Sequence, residues 1–217
     1  MELSWTILIL LGLALVTPWL NILAPRTVGA ALTIAPAGMF CWFLFTSGVV
    51  YDFDYVTESH TWWAALDGVW ALHLDPLTEL FALMILGNGA VNVLYSHGYF
   101  RVAEREHPGP QSRQDTGRFL ALLLVLMAGM LGVVMADHLL LMFVFWEGTT
   151  VVTFFLIGFQ PGNAQARAAA DRTWRVNAIG SAALLGAIWL LQDAGGSYLL
   201  SELTSRGDLV RGADAYP

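Results

Sequence analysis

The chain has 217 residues, of which 57% are hydrophobic and only 12% are charged. A soluble domain carries about 25% charged residues, so this composition excludes an ordinary soluble domain and indicates a polytopic membrane protein. The formal net charge of −7 gives no reason to expect nucleic-acid binding. The single cysteine, Cys41, lies in an apolar segment, which argues against a disulfide or a metal site.

Six apolar segments are long enough to cross a bilayer, which takes about 20 helical residues. In chain order they run approximately over 3–23, 28–50, 77–95, 119–136, 139–159 and 176–191. The first begins MELSWTILIL, with no basic residue before the apolar run, so it indicates a retained span and not a cleaved signal peptide. The predicted fold class is all-α, a single membrane domain over residues 1–217 with six transmembrane helices.

Arginine alternates between the connections that join these segments, and the chain has no lysine. Arginines occur after the first, third and fifth segments, and none occurs after the second or fourth; those that do are Arg26, Arg101, Arg105, Arg113, Arg118, Arg167, Arg172 and Arg175. The positive-inside rule then places both termini outside and the arginine-rich connections in the cytoplasm of a prokaryotic cell. The connection 51–76 is acidic and tryptophan-rich, and its Trp62, Trp63 and Trp70 suit the headgroup region.

Glu147 lies near the middle of the fifth segment, LLLMFVFWEGTTVVTFFLIGF, which is otherwise uncharged. It is about 15–20 Å along the helix from the polar residues at either end. A carboxylate at that depth costs about 2.5–3.5 kcal/mol, so it needs a partner, a path for water or a proton. We therefore predict a functional acid. The alternative is an acid that only hydrogen-bonds a neighbouring helix.

Small and weakly polar residues surround this acid. Helical spacing places Thr150 beside Glu147, where its hydroxyl can hydrogen-bond the carboxyl group in either protonation state. Gly148, Thr149 and Thr153 extend a narrow face that lets another helix approach closely or admits water. This pattern predicts that Glu147 faces other helices and not lipid.

The cations nearest to Glu147 in the sequence precede the sixth apolar run. Arg172 and Arg175 have two interpretations: cytoplasmic anchors that set topology, or side chains directed inward toward the acid. An arginine in the second role would hold Glu147 ionised, but it would not relay protons, because its guanidinium stays charged.

Other polar residues have mainly structural interpretations. Asn88 and Asn92 share one face of the third span and predict a hydrogen-bonded helix contact, with the wall of a wet cavity as the alternative. Glu79 is expected at the membrane interface. The histidines lie at span ends or in connections, and of these His97 and His138 stay open as proton-relay candidates.

Two long segments resemble the antiporter-like subunits, which include large subunits of Mrp-type sodium/proton antiporters and proton-pumping subunits of respiratory complex I. They are LDPLTELFALMILGNGAVNVLYSHGYF (Leu74–Phe100) and ADHLLLMFVFWEGTTVVTFFLIGF (Ala136–Phe159). The string FVFWEGTT followed by FLIGF is the specific signature of the family's fifth helix. The last residues, SYLLSELTSRGDLVRGADAYP, resemble the stretch before the seventh helix, particularly in the large subunit of the Mrp type.

The resemblance implies roles for particular residues. Glu147 matches the family's essential fifth-helix glutamate in the ion or proton path. Arg172 falls where relatives often carry a lysine. Asp137 and His138 match a position where relatives often show Asp–Asn at the start of the fifth helix.

The family fold has about fourteen helices built around two inverted five-helix repeats. This sequence ends after the sixth segment, without the seventh helix and the lysine that is the glutamate's usual partner. We therefore expect a truncated chain, a fragment or one piece of a split subunit.

The function expected is part of a multisubunit monovalent cation/proton antiporter, exchanging Na⁺ for H⁺, with Glu147 in the path. The first alternative is a proton-translocating subunit of complex I or a related complex. The second is a non-transporting structural or assembly element. The partners expected are other subunits, the lipid bilayer, Na⁺ and H⁺. No cofactor motif and no nucleophile–base pair occurs in the sequence, so a transporter subunit is expected and not an enzyme.

Overall fold

The computed structural model describes residues 3–25, 27–53, 56–63, 68–106, 110–160 and 162–205, with side chains at all of these except 46–53, 61–63, 68–69, 103–106 and 110–113. The elements in this part of the chain are α1 (Leu3–Leu23), α2 (Val28–Phe53), β1 (Val56–Trp63), β2 (Gly68–Leu74), α3 (Pro76–Glu106), α4 (Pro110–Met135), α5 (Leu139–Ile157), α6 (Ala164–Gly195) and α7 (Leu200–Ser205). The helices α1 to α6 are long and apolar enough to cross a membrane. The predicted helical membrane fold is confirmed.

Four of the spanning helices are longer than the apolar runs that predicted them. α2 continues to Phe53, α3 continues to Glu106, α4 begins at Pro110, and α6 covers Ala164–Gly195 instead of 176–191. Hydropathy marks only the part of a helix that suits hydrocarbon, whereas the helix itself ends where a cap ends it. In α6 the side chain of Asn163 accepts hydrogen bonds from the first-turn N–H groups, and Gly196 at φ 71° ends the last turn.

A two-stranded sheet stands where the sequence predicted only an acidic connection. β1 and β2 pair with each other, and alternate residues of β2, Leu72 and Leu74, are buried at 1% exposure each. Asp75 then caps α3, since its Oδ1 accepts a hydrogen bond of 2.7 Å from the Thr78 N–H, and Pro76 occupies the first helical position. The hairpin therefore runs directly into the third span.

The described chain forms two compact units. The first comprises Met1–Val56 and Leu74–Leu131 and contains α1, α2, α3 and most of α4. Its helices approach closely at glycines: the ring of His97 on α3 lies against Gly29 of α2, and the backbone of Pro18 in α1 lies against Gly117 of α4. A side chain larger than hydrogen would collide at Gly29. This explains why His97 is buried although it lies near the end of a span.

The second unit comprises Thr57–His73 and Gly132–Pro217. Within this unit, two backbone bridges fix the segment that links α4 to α5. Leu72 of β2 forms an antiparallel bridge with Ala136, and His138 forms another with Leu199. A cluster of Leu139, Ile188 and Leu203 joins α5, α6 and α7. The single membrane domain expected from the sequence stays a prediction.

Candidate functional site

Glu147 lies near the centre of α5, as the sequence predicted, and its side chain is half-buried. Its carboxylate atom Oε1 is buried and has no hydrogen-bond partner among the described residues. Burying an acceptor without a partner costs free energy, and for a charged group the cost is larger still. The acid therefore needs something that the surrounding α5 side chains do not supply.

α5 and α6 pack against each other through one face of each helix, which we call the α5–α6 interface. The α5 residues in contact are Leu139, Phe143, Phe154 and Gly158, and the α6 residues are Ala170, Trp174, Leu184 and Ile188. Helical spacing adds Glu147 to the α5 face, and Asn177 and Ser181 to the α6 face. The α6 residues recur at spacings of three and four, which keeps them on one side of a helix.

Contacts at both ends fix the register of this antiparallel pair. At one end, the rings of Phe154 and Trp174 are 5.6 Å apart, and a Cβ at Gly158 would lie 3.3 Å from the Cβ of Ala170. At the other end, Leu139 and Ile188 share one buried cluster. Counting inward from either end brings Glu147 level with Ser181, with Asn177 about one helical turn away.

Ser181 was not predicted as a site residue, and it is 7% exposed. Its Oγ is buried and lacks a hydrogen-bond partner in the described part of the chain. The spacing of Ala170, Trp174, Ser181 and Ile188 in the sequence was the signal that could have found it. This spacing alone could not identify Ser181, because the sequence does not tell which face of α6 packs against α5.

The two arginines proposed as cations for Glu147 lie off this interface. Arg172 and Arg175 are both exposed, and the Nε of Arg175 donates to the Asp171 carbonyl of its own helix at 3.2 Å. Arg175 is level with Thr153, about 9 Å along the helix axis from Glu147. The structure does not bring either guanidinium toward the acid, and the exposed positions favour the interpretation as topology anchors.

Asp137 and His138 are buried at the start of α5, about 15 Å along the axis from Glu147. Both carboxylate oxygens of Asp137 accept hydrogen bonds from Ser201, Oδ1 from its N–H at 2.9 Å and Oδ2 from its hydroxyl at 2.7 Å. The imidazole of His138 stacks on the ring of Tyr198 with centroids 5.6 Å apart. These contacts tie α7 to the start of α5, and they do not bring either residue to Glu147.

The small residues around Glu147 divide between two environments. Thr150 is buried at 8% exposure, and Thr149 donates its hydroxyl to the Trp146 carbonyl at 2.8 Å. Gly148 is exposed, and a Cβ placed there would meet no atom within 4 Å. The close approach of a helix expected at Gly148 does not occur among the described residues.

Two further polar positions have surroundings that the sequence did not predict. Glu79 is packed inside the described chain at 3% exposure, and its Oε1 is buried without a hydrogen-bond partner among the described residues. Its expected position at the membrane interface stays a prediction. Asn88 and Asn92 are exposed, and Asn88 bonds the Met84 carbonyl of its own helix at 2.9 Å. The predicted helix contact through these asparagines does not occur in the described chain.

Comparison with known proteins relates this arrangement to a family. Residues 136–211, which include all of α5 and α6, match the family model described as NADH:quinone oxidoreductase/Mrp antiporter, TM. Over these residues the chain is similar to the antiporter-like subunit family. Among curated relatives, the A1 subunit of the Na⁺/H⁺ antiporter of Staphylococcus haemolyticus is 31% identical over 81% of this chain. The A/B subunit of a probable K⁺/H⁺ antiporter of Rhizobium meliloti is 33% identical over 87% of it.

Solved structures of antiporter-like subunits show the same fold. A chain of the Mrp complex from Dietzia sp. DQ12-45-1b matches 94% of this chain with a TM-score of 0.77 and 30% identity. A chain of respiratory complex I from Thermus thermophilus matches 95% with a TM-score of 0.63 at 20% identity, which shows the fold alone. The chain spans only about a fifth of the length of the curated relatives, 21% for the Staphylococcus protein and 18% for the Rhizobium protein.

Proposed function

We propose that this chain is part of a multisubunit monovalent cation/proton antiporter, with Glu147 in the path of the ion or proton. The observation that carries the proposal is the position of Glu147: an acid at the middle of a spanning helix, with a buried oxygen that lacks a partner among the described residues. The names of the curated relatives support antiport as the activity.

Exchange follows from elementary charge balance at such an acid. A carboxylate in a medium of low dielectric constant is stabilised by a bound proton or by a bound cation. Binding of one disfavours binding of the other, because the carboxylate carries a single negative charge. If Glu147 is open in turn to the two sides of the membrane, each cation bound displaces one proton. The other subunits, the lipid bilayer, Na⁺ and H⁺ are the partners that this function requires.

A proton-translocating subunit of a complex I-like assembly is the second candidate. It is favoured by the shared fold, and in that role the chain would move protons without binding a redox cofactor. The 30% identity to the Mrp structure, against 20% to the complex I structure, favours the antiporter. In either assembly the chain acts as a transporter subunit.

The test is cation-dependent proton movement in everted vesicles from cells that lack their own antiporters. The chain is co-expressed with its neighbouring genes, and dissipation of a pH gradient is recorded when Na⁺ or K⁺ is added. We expect the wild type to dissipate the gradient and Glu147→Gln to fall to the background, because the amide can neither release a proton nor neutralise a cation.

The matched control is Asp193→Asn, the same acid-to-amide change at an exposed position near the end of α6. It should retain wild-type exchange, and both variants should be present in the membrane in wild-type amounts. Full activity of Glu147→Gln in the assembled complex would remove Glu147 from the path. An inactive wild-type complex that drives proton movement only with a redox substrate would favour the second candidate.

A further inference from the structure

Every polar group of Asp137, in its backbone and its side chain, is bonded to another segment of the second unit. Its N–H donates to the Ala71 carbonyl of β2 at 2.9 Å, and its carbonyl accepts from the Leu200 N–H of α7 at 2.8 Å. Its carboxylate accepts from the N–H and the hydroxyl of Ser201, at 2.9 and 2.7 Å. Asp137 therefore joins the hairpin, the start of α5 and the start of α7.

The same contacts reach the end of α6. Leu203 of α7 packs in one buried cluster with Leu139 of α5 and Ile188 of α6, and the Leu139 N–H donates to the Tyr198 carbonyl at 2.9 Å. We call residues 137–139, Ile188 and 198–203 the Asp137 cluster. Hydrogen bonds weaken steeply with distance and angle, so α5 and α6 cannot separate at this end without breaking several bonds together.

The opposite end of the α5–α6 interface is held by contacts of another kind. The rings of Phe154 and Trp174 meet edge to face with centroids 5.6 Å apart, and Gly158 lies against the methyl group of Ala170. Apolar contacts have no preferred direction, so these surfaces can slide over each other while they stay in contact. Displacement of α6 from α5 therefore begins more easily at the Gly158 end than at the Asp137 end.

Glu147 lies between these two ends, about 15–17 Å along the axis of α5 from either one. The proposed exchange requires that this acid is reached from the two sides of the membrane in turn. The Gly158 end adjoins the arginine-rich link to α6, which the charge pattern places in the cytoplasm. A separation of the helices at that end exposes Glu147 to the cytoplasm, while the Asp137 cluster keeps the other end closed.

We infer that the Asp137 cluster is a fixed pivot, about which α6 moves away from α5 at the Gly158 end to admit the ion or proton to Glu147. The inference rests on the proposed function and adds to it the end at which the helices separate. In this movement Asp137 and Ser201 are positioning residues, since they hold α5 and α7 together and do not themselves carry the ion. Such a rotation of a helix about one end is a hinge movement.

Disulfides that lock one end at a time test the pivot. In the co-expressed complex with Cys41→Ser, one variant carries Gly158→Cys and Ala170→Cys, because a Cβ at position 158 would lie 3.3 Å from the Cβ of Ala170, close to the spacing in a disulfide. The other carries His138→Cys and Leu199→Cys, which face each other across an antiparallel bridge. Copper phenanthroline oxidises each pair, and dithiothreitol reduces it.

The two cross-links should have opposite effects on cation-dependent proton movement in vesicles. Oxidation of the 158–170 pair should reduce the rate to the background, and reduction should restore it. Oxidation of the 138–199 pair should leave the rate of its own reduced form unchanged. Mass spectrometry of the linked peptides measures how completely each disulfide forms. Inhibition by the 138–199 disulfide, full transport with the 158–170 pair oxidised, or failure of either pair to cross-link would overturn the pivot.

Ser201 variants test the same inference without a change at His138. Ser201→Ala removes the hydroxyl bond to Asp137 and keeps the backbone bond. A weakened pivot should expose Glu147 to both sides, so a pH gradient should decay severalfold faster with no cation added, and Glu147→Gln in the same chain should abolish this leak. Ser201→Thr keeps the hydroxyl and should be as tight as the wild type, and so should the control Ser205→Ala. A purely structural role would lower the unfolding temperature without a leak, and that result would reject the pivot.

Failure of the proposed function gives a different pattern. A wild-type complex that exchanges no cation but moves protons with a redox substrate would reject the antiporter, and the same disulfides would then test the pivot on that proton movement. A complex that exchanges cations and requires Glu147, but stops when the 138–199 pair is oxidised, would retain the antiporter and reject the pivot.

Discussion

At the scale of single residues, the same kind of side chain has different roles in this protein according to its partners. Asp137 lies just before α5 and Glu147 lies near its centre. Both acids were predicted from the sequence as site residues. In the structure both oxygens of Asp137 accept hydrogen bonds from Ser201, 64 residues away, whereas Oε1 of Glu147 has no partner among the described residues. An acid whose acceptors are filled stabilises the fold. An acid with a buried oxygen that accepts no hydrogen bond is the better candidate for binding an ion or a proton.

Removal of the Ser201 hydroxyl should therefore reduce stability. Ser201→Ala deletes one charge-assisted hydrogen bond to Asp137, and we expect the free energy of unfolding to fall by about 1–2 kcal/mol. Each kcal/mol lost should lower the unfolding temperature by about 2–4 °C. Thermal unfolding of the purified protein in detergent measures it. Ser205→Ala is the control, because Ser205 is exposed and bonds only the Glu202 carbonyl of its own helix. Equal unfolding temperatures for the two variants would contradict the structural role of Asp137.

At the scale of elements, helices pack where a glycine admits a ring. Gly132, near the end of α4, lies under the ring of Phe145 on α5. Phe145 in turn contacts Trp70 of β2 edge to face, with centroids 5.6 Å apart. Because Gly132 has no side chain, the ring of Phe145 on α5 can contact both the end of α4 and Trp70 of β2 within the second unit. Sequence composition shows the glycine but not the ring above it.

Substitution of this glycine should be costly, although alanine favours helix. In Gly132→Ala the new methyl group collides with the base of the Phe145 ring, and we expect a loss of about 1–3 kcal/mol from the forced shift. Gly186→Ala is the matched control, since a Cβ at that helical position meets nothing within 4 Å. It should gain up to about 1 kcal/mol from helix propensity. If both variants gained stability in thermal unfolding, the packing of α4 on α5 would be refuted.

At the scale of the whole molecule, charge sets the orientation proposed for the chain. Arginine-rich connections alternate with arginine-free ones, and this pattern places the hairpin β1–β2 outside and the link between α5 and α6 in the cytoplasm. The spanning helices carry many exposed apolar side chains, among them Val176, Ile179 and Trp189 of α6. Lipid or other helices must cover these faces.

Orientation is tested by labelling single cysteines in intact cells. Cys41 is replaced by serine, and a cysteine is introduced at Ser59 in β1 or at Gly162 before α6, both of which are exposed. A maleimide that does not cross membranes should label the first and not the second, because only the first is predicted outside. Permeabilised cells should label both. Labelling at position 162 alone in intact cells would reverse the topology.

The positions of the spans and of the central acid could be predicted from the sequence because both are local properties. A run of apolar residues determines a spanning helix wherever it occurs, and a lone acid such as Glu147 within that run stands out against it. The ends of α6 and the pairing of β1 with β2 were missed, since caps and short alternating strands contribute little to hydropathy. The burial of Glu79 could not be predicted either, because it comes from packing between helices.

What the sequence by itself determined is the membrane class, the approximate spans and the resemblance to a family, whereas the depth of Glu147 in the membrane stays a prediction. What only the tertiary structure decided is which residues meet. Helical periodicity gives each helix several possible faces, and the packing of α5 on α6 selects the one that buries Ser181 at the level of Glu147 and leaves Arg172 and Arg175 exposed. The bonds from Ser201 to Asp137 span 64 residues, so no local pattern could reveal them. Packing between distant segments is decided by shape and burial across the whole fold.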